Sequence, residues 1–257
     1  MQLTYLDSNT WLIVLGRARI LVDPWLVGPL VFGNLPWLFK GERRSPRAIP
    51  DDIDLILLSQ GIEDHAHPPT LRQLDRQLPV VASPSAAQVV TGLEFQQVTA
   101  LAHGQTCLVG SLTIQALPGA PLGPLNTENG YLVREAESGE SFYYEPHGFP
   151  PAALRDCEPV DVAITPIVSL SLPLAGPIIN GGETAVQVAA WLRPQVLLPT
   201  AAGGDVEFAG VLTRFLQAQG SADELREALA ARQLTTQVIE PTPGQPLTLP
   251  TATAGVS

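Results

Sequence analysis

Asp64-His65-Ala66-His67 places a carboxylate and two imidazoles within one short stretch of a 257-residue chain that has only four histidines. A carboxylate beside an imidazole can hold a divalent ion, and such an ion brings bound water toward a pKa of about 7 for attack on an ester, lactone or phosphoester. The alternative for this pair is structural, with Asp64 capping its loop and His65 bonding a backbone carbonyl. His67 could be a spare ligand, a general base or a hydrogen-bonding group at a helix start. Glu145-Pro146-His147 is the second phrase with chemistry in it. Glu145 could orient an imidazole or take a proton from an attacking water. His103, in the polar turn Ala102-His103-Gly104-Gln105, reads as a surface residue.

These side chains need strands and loops to bring them together. Asp54 to Leu58 is a continuous apolar run ending in Ser59-Gln60-Gly61, the pattern of a buried central strand that delivers a loop at its carboxyl end. Ahead of it, Leu3 to Leu6, Thr10 to Leu15 and Arg19 to Val22 read as an antiparallel meander. His67-Pro68-Pro69 opens a short helix, and Ser83 caps another over Pro84 to Val90. Val80 to Ala82, Cys107 to Val109, Leu112 to Ala116, Tyr131 to Arg134, Ser141 to Tyr144, Val160 to Thr165 and Val196 to Leu198 are further expected strands. Thr184 to Leu192 carries a helical apolar stripe stopped by Arg193-Pro194. Asp205 is expected to cap a helix from Val206 to about Gln219. Ser221 and Glu224 form a capping box for Ala222 to Arg232, and Thr235 to Ile239 closes a sheet. Two strand sets with helices and no long linker predict one layered α/β domain over 1–249, with a tail at 250–257.

Composition narrows the functions. With 45% apolar and 15% charged residues the chain is globular. A net charge of −11 repels phosphate backbones and argues against nucleic-acid binding. Cys107 and Cys157 are too few and too far apart for a disulfide framework or a cysteine zinc site, and read as buried thiols of a reducing compartment. Met1 to Leu15 shows no basic leader before its apolar run, which points to a cytoplasmic protein.

Ile20-Leu21-Val22-Asp23-Pro24-Trp25, Leu57-Leu58-Ser59 with Asp64-His65, Phe142-Tyr143-Tyr144-Glu145-Pro146-His147 and Val196-Leu197-Leu198-Pro199-Thr200 occur in an order that resembles the metallo-β-lactamase fold, particularly its lactonase-like, ribonuclease Z-related branch. The resemblance covers nearly the whole chain and implies a four-layer αββα sandwich with a metal cleft where the sheets meet. The family motif is (S/T)-H-x-H-x-D-H. Gln60 and Ile62 stand where its first two histidines belong, while Asp64 and His65 match the closing pair. Pro118-Gly119-Ala120-Pro121 offers no imidazole at the next ligand position, and Thr200-Ala201 none at the last. His147 falls where the family has a bridging aspartate. The resemblance therefore implies loss of the dinuclear centre and at most one ion, Zn²⁺, Mn²⁺ or Fe²⁺, held by Asp64, His65 and His147. Asp23 and Gln60 are expected to support this loop from behind.

Residues 24–39 crowd Trp25, Phe32, Trp37 and Phe39 among three prolines. Trp25, Phe32 and Trp37 are the expected substrate contacts of an apolar flap. A loop folded on the core, or a patch from Trp25 to Arg47 that touches a membrane or a partner, are the alternatives. The expected activity is metal-dependent hydrolysis of a small, partly apolar substrate. The alternative is a non-catalytic cleft that has lost its metal and binds a small molecule or a partner protein. Oligomeric state is not encoded in any of these features.

Overall fold

The computed structural model describes residues 1–122, 126–173 and 176–249. The expected tail at 250–257 lies outside them. Two seven-stranded sheets face each other. The first runs in the order Pro246–Thr248, Gln2–Tyr5, Trp11–Leu15, Ala18–Val22, Leu55–Leu58, Pro79–Ala82 and Gln97–Ala100. It is antiparallel as far as Ala18–Val22 and parallel from there on. The second runs Gln237–Val238, Val196–Leu198, Val162–Ile164, Ser141–Tyr144, Asn126–Glu135, Leu112–Leu122 and Thr106–Val109. Its first four strands are parallel and the rest antiparallel.

Strand alternation assigns each side chain to a layer. Ile20, Val22, Leu55, Leu57 and Val81 of the first sheet meet Ile114, Tyr131, Phe142, Tyr144 and Ile164 of the second in one central core. The residues between them face outward. Leu21, Ile56 and Leu58 pack under Leu71 and the helix Pro84–Gly92. Leu197 packs against the helices Glu183–Leu192 and Ala222–Ala231. Tyr143 and Ala163 meet Val188 and Leu192. The architecture is the expected αββα sandwich, since strands buried on both faces need a helix layer outside each sheet. Ser83 accepts from Ala86 N and Ser221 from Glu224 N, as capping predicts. Among the described residues no helix is long and apolar enough to cross a membrane.

One expected helix is a correction. Val206 to Gln219 forms instead a strand Val206–Ala209, a 3-10 turn Leu212–Arg214 and a strand Gln217–Gln219. Gly210 ends the first strand at φ +116, with backbone of Leu38 packed where a Cβ would stand. A helix cannot pass through that conformation. The freed strand pairs with Lys40–Arg43, which also pairs with Leu30–Val31. A second small sheet joins Gly176–Ile179, Ser169–Leu172 and Gln217–Gln219. Residues of both small sheets line one cavity. Cys107 and Cys157 are free and half-buried rather than core thiols.

Candidate metal centre

Asp23 sits directly after the strand Ala18–Val22, in the left-handed region at φ 41, a conformation that Asp tolerates better than most residues. It is fully buried and is the hub of the site. Its Oδ1 accepts from Ser59 N at 2.8 Å. Its Oδ2 accepts from Ser59 Oγ at 2.5 Å, from Tyr144 OH at 2.6 Å and from His65 Nδ1 at 2.6 Å. The ends of both sheets are thereby tied to one carboxylate. The buried run Leu55–Leu58 delivers Ser59, and a turn closed by His65 N and Ala66 N on Ile62 O then presents Asp64 and His65.

His147 arrives from the other sheet. Glu145 follows the strand Ser141–Tyr144 and accepts from the backbone N–H of His147, Gly148 and Phe149. Gly148 turns at φ +77 with Asn180 O packed where a Cβ would lie, so the turn requires glycine. His147 Nδ1 bonds the Glu128 carboxylate at 2.8 and 2.9 Å. Glu128 is fully buried on the strand Asn126–Glu135 and also accepts from Ala120 N.

The imidazoles of His65 and His147 stand with ring centroids 5.1 Å apart. Ligand atoms of Asp64, His65 and His147 all lie within 4.8 Å of one another. His65 Nε2 is 3.2 Å from Asp64 Oδ2, close to the roughly 3.4 Å separating two donors on a tetrahedral ion with bonds of about 2.1 Å. Each imidazole has Nδ1 on a buried carboxylate, Asp23 or Glu128, which fixes its tautomer and leaves Nε2 as the donor atom. Asp64 Oδ1 is buried with no hydrogen-bond partner, and Asn9 Nδ2 reaches His65 Nε2 at 3.2 Å.

The imidazoles and carboxylates of the site shift one another. Burial works to raise the Asp64 carboxyl, but the His65 and His147 imidazoles outweigh it and hold Asp64 below the usual range. Burial likewise opposes charging His65, yet Asp64 and Asp23 lift it well above the usual imidazole value. Glu128 is held down against its burial by His147. Burial and the neighbouring Glu128 carboxylate push the Glu145 carboxyl well above the usual range. The donor set of two imidazoles and a carboxylate, with one carboxylate oxygen unpartnered, fits a single divalent ion.

The site opens on a cavity of about 480 Å³ with Asp64 and His147 on its wall. The rest is largely apolar, with Phe32, Phe39 and Phe208 stacked in series at centroid distances of 5.3 and 5.5 Å. Phe32 therefore lies where a substrate contact is expected. Other expectations are corrected. Trp25 is fully buried away from the cavity, with Nε1 bonded to Gly28 O and the Arg43 guanidinium 4.1 Å above its ring. Trp37 is 62% exposed and does not line the cavity. Trp37→Ala is expected to change stability by no more than about 0.5 kcal/mol and leave turnover unaltered, read by thermal unfolding and steady-state rates.

His67 is held by Thr70 Oγ1 at 3.0 Å and lies edge-on to Trp25. Burial pushes it down to about 4, and it fastens the helix start instead of reaching the cavity. Glu145 is fully buried and spends its oxygens on three backbone N–H groups, so it shapes the His147 loop and accepts no proton from solvent. Gln60 is fully buried and its amide finds no partner among the described residues, so it supports no ligand by hydrogen bonding. Glu128 and Asn9 are the site residues that sequence reasoning missed.

The same fold recurs in known proteins. An isothiocyanate hydrolase from Delia radicum gut bacteria superposes with a TM-score of 0.69 at 14% identity, over 98% of this chain and 100% of that one. A metallo hydrolase from Ignicoccus hospitalis gives 0.67 at 16% identity, over 97% and 99%. The diiron β-hydroxylase CmlA from Streptomyces venezuelae gives 0.68 at 17% identity, over 96% of this chain and 54% of that one. In sequence, 79 residues are 35% identical to the cytidine monophosphate-N-acetylneuraminic acid hydroxylases of Cricetulus griseus and Mus musculus. That match covers 31% of this chain and 14% of those proteins. The family model described as the beta-lactamase superfamily domain matches residues 2–201, which include Asp23, Asp64, His65, Glu128 and His147, and the chain belongs to that family.

Proposed function

We propose that this protein is a metal-dependent hydrolase that holds one divalent ion, Zn²⁺, Mn²⁺ or Fe²⁺, through Asp64, His65 and His147. Its substrate is an ester, lactone or phosphoester of a small, partly apolar molecule. The observation that carries the reading is the convergence of these three donors beside an apolar cavity that Asp64 and His147 line, each imidazole backed by a buried carboxylate. The names of two structural relatives, an isothiocyanate hydrolase and a metallo hydrolase, support the reaction class. An ion at this position supplies Lewis acidity, polarising a carbonyl or phosphoryl oxygen and acidifying water. The protein's own part is positional. Asp23 and Glu128 hold Nδ1–H of His65 and His147, so that neither ring can rotate. The aromatic wall excludes bulk water and orients the apolar part of the substrate. Free thiols at Cys107 and Cys157 support the cytoplasm as the working compartment.

Elemental analysis of the purified full chain tests the proposal. About one equivalent of a single divalent metal is expected, together with ester hydrolysis that a chelator removes and the same metal restores. Less than about a tenth of an equivalent, after dialysis against each ion, overturns it in favour of a metal-free binding cleft.

A further inference from the structure

The cavity wall beyond Asp64 and His147 contains no Lys or Arg among the described residues. Its polar groups other than Asp64 and His147 are neutral ones, chiefly Ser8, Asn9 and Thr200, all on the side of the metal centre. The opposite side is hydrocarbon, supplied by Leu170, Leu172 and Ile178 from one small sheet, Leu30 and Phe208 from the other, and Leu212 and Leu216 from their connection. A phosphate or carboxylate here would find no lysine or arginine, while the carboxyl groups of Asp23, Asp64 and Glu128 surround the ion position. The basic residues of the strand Lys40–Arg43 and of the segment after it are already engaged. Lys40 pairs with Glu42, Arg44 with Glu207, and Arg43 and Arg47 with Asp7.

The apolar wall also continues outward. Ile178 and Phe208 line the cavity and are nevertheless 40% and 41% exposed, and the exposed Val211 and Phe215 belong to the same connection. A hydrocarbon chain seated against Leu170 and Leu212 would reach solvent along an apolar track, and its burial supplies binding energy with each methylene.

Resting on the hydrolase reading above, we propose that the substrate is an uncharged acyl compound, a carboxylic ester, thioester or amide with a hydrocarbon chain, and is not a phosphoester. Its carbonyl lies beside Asp64 and His147. Its chain fills the wall built by the two small sheets.

The test reads binding without chemistry. Primary alkyl amides from hexanamide to dodecanamide are titrated calorimetrically into the metal-depleted full chain and into the zinc-loaded one. Affinity is expected to rise about fourfold per added methylene until the cavity is full, in both forms. Decyl phosphate is expected to bind at least about tenfold more weakly than decanamide. Leu172→Arg, at the half-buried last position of the central strand Ser169–Leu172, is expected to reverse that order while its far-UV spectrum stays that of the parent. Affinity independent of chain length, or decyl phosphate binding as tightly as decanamide to the parent, overturns the proposal. Turnover of phosphoesters but not of acyl esters by the metal-loaded protein overturns it while leaving the hydrolase reading intact. A chain-length series in the metal-depleted protein supports it even where no ester is turned over, the outcome in which the hydrolase reading alone fails.

Discussion

His147→Ala is expected to take the protein from about one equivalent of bound divalent metal to less than about a tenth, and to lower hydrolytic turnover at least about 10³-fold. The reason is a count of donors. Asp64 and His65 are adjacent in the chain and come from one loop, and His147 is the only donor of the three that the second sheet supplies. Without it two protein ligands remain, below the three that catalytic sites use to fix an ion with an open position. The substitution also strands Glu128, whose buried carboxylate faces the His147 imidazole at 2.8 Å. Stability therefore falls as well, and the decisive comparison is Glu128→Gln. That variant leaves Nε2 of His147 in place and loosens only the ring's orientation, for which a 10–100-fold weaker metal affinity is expected. Metal titration with a competing chelator separates the two. Equal loss in both variants would mean that Glu128 is itself a ligand, and full retention in His147→Ala would remove His147 from the site.

Sequence made the frame of this site legible and left parts of it dark for physical reasons. The run Leu55–Leu58 is apolar on both faces, which only a strand with a layer on each side can use, and that pattern placed the loop bearing Asp64 and His65 correctly. Glu128 was invisible because Thr127-Glu128-Asn129-Gly130 has the composition of a turn, whereas it is the first half of a ten-residue strand held by pairing to Leu112–Leu122. A buried acid declares itself only through its partner, and His147 lies nineteen positions away on another strand's end. Trp25 and Trp37 share one apolar stretch, yet one is fully buried and the other 62% exposed. What sorts them is the Arg43 guanidinium over Trp25 and the pairing of Lys40–Arg43 with Val206–Ala209. The segment that begins with that second strand carries apolar residues at Val206, Phe208, Val211, Leu212 and Phe215, a spacing that imitates a helix stripe. Gly210 and the edge of Lys40–Arg43 decide otherwise, and neither is a local signal.

Asp23 offers the sharpest separation of folding from metal binding, since two substitutions at one atom position should fail differently. Asp23→Ala removes the acceptor for Ser59 N, Ser59 Oγ, Tyr144 OH and His65 Nδ1 together, all of them buried. Donors left unpaired in the interior cost about 1–3 kcal/mol each, and breaking a buried ion pair about 3–5 kcal/mol. A loss of about 4 kcal/mol is expected, which in a chain of this size lowers the thermal midpoint by roughly 10 °C. Asp23→Asn keeps the shape and one acceptor oxygen. Ser59 Oγ and Tyr144 OH can turn their hydroxyls to accept from the new amide, so a smaller loss of about 1–2 kcal/mol is expected. His65 cannot adapt without cost. If the amide nitrogen faces Nδ1, that nitrogen must accept, the proton moves to Nε2, and the lone pair that would meet the ion is gone. The Asn variant should therefore fold and bind zinc at least about 100-fold more weakly, with the defect visible in a metal titration at neutral pH. Wild-type zinc affinity in a well-folded Asp23→Asn protein would show that the carboxylate does not set the His65 tautomer, and would leave Asp23 a purely structural tie between the sheets.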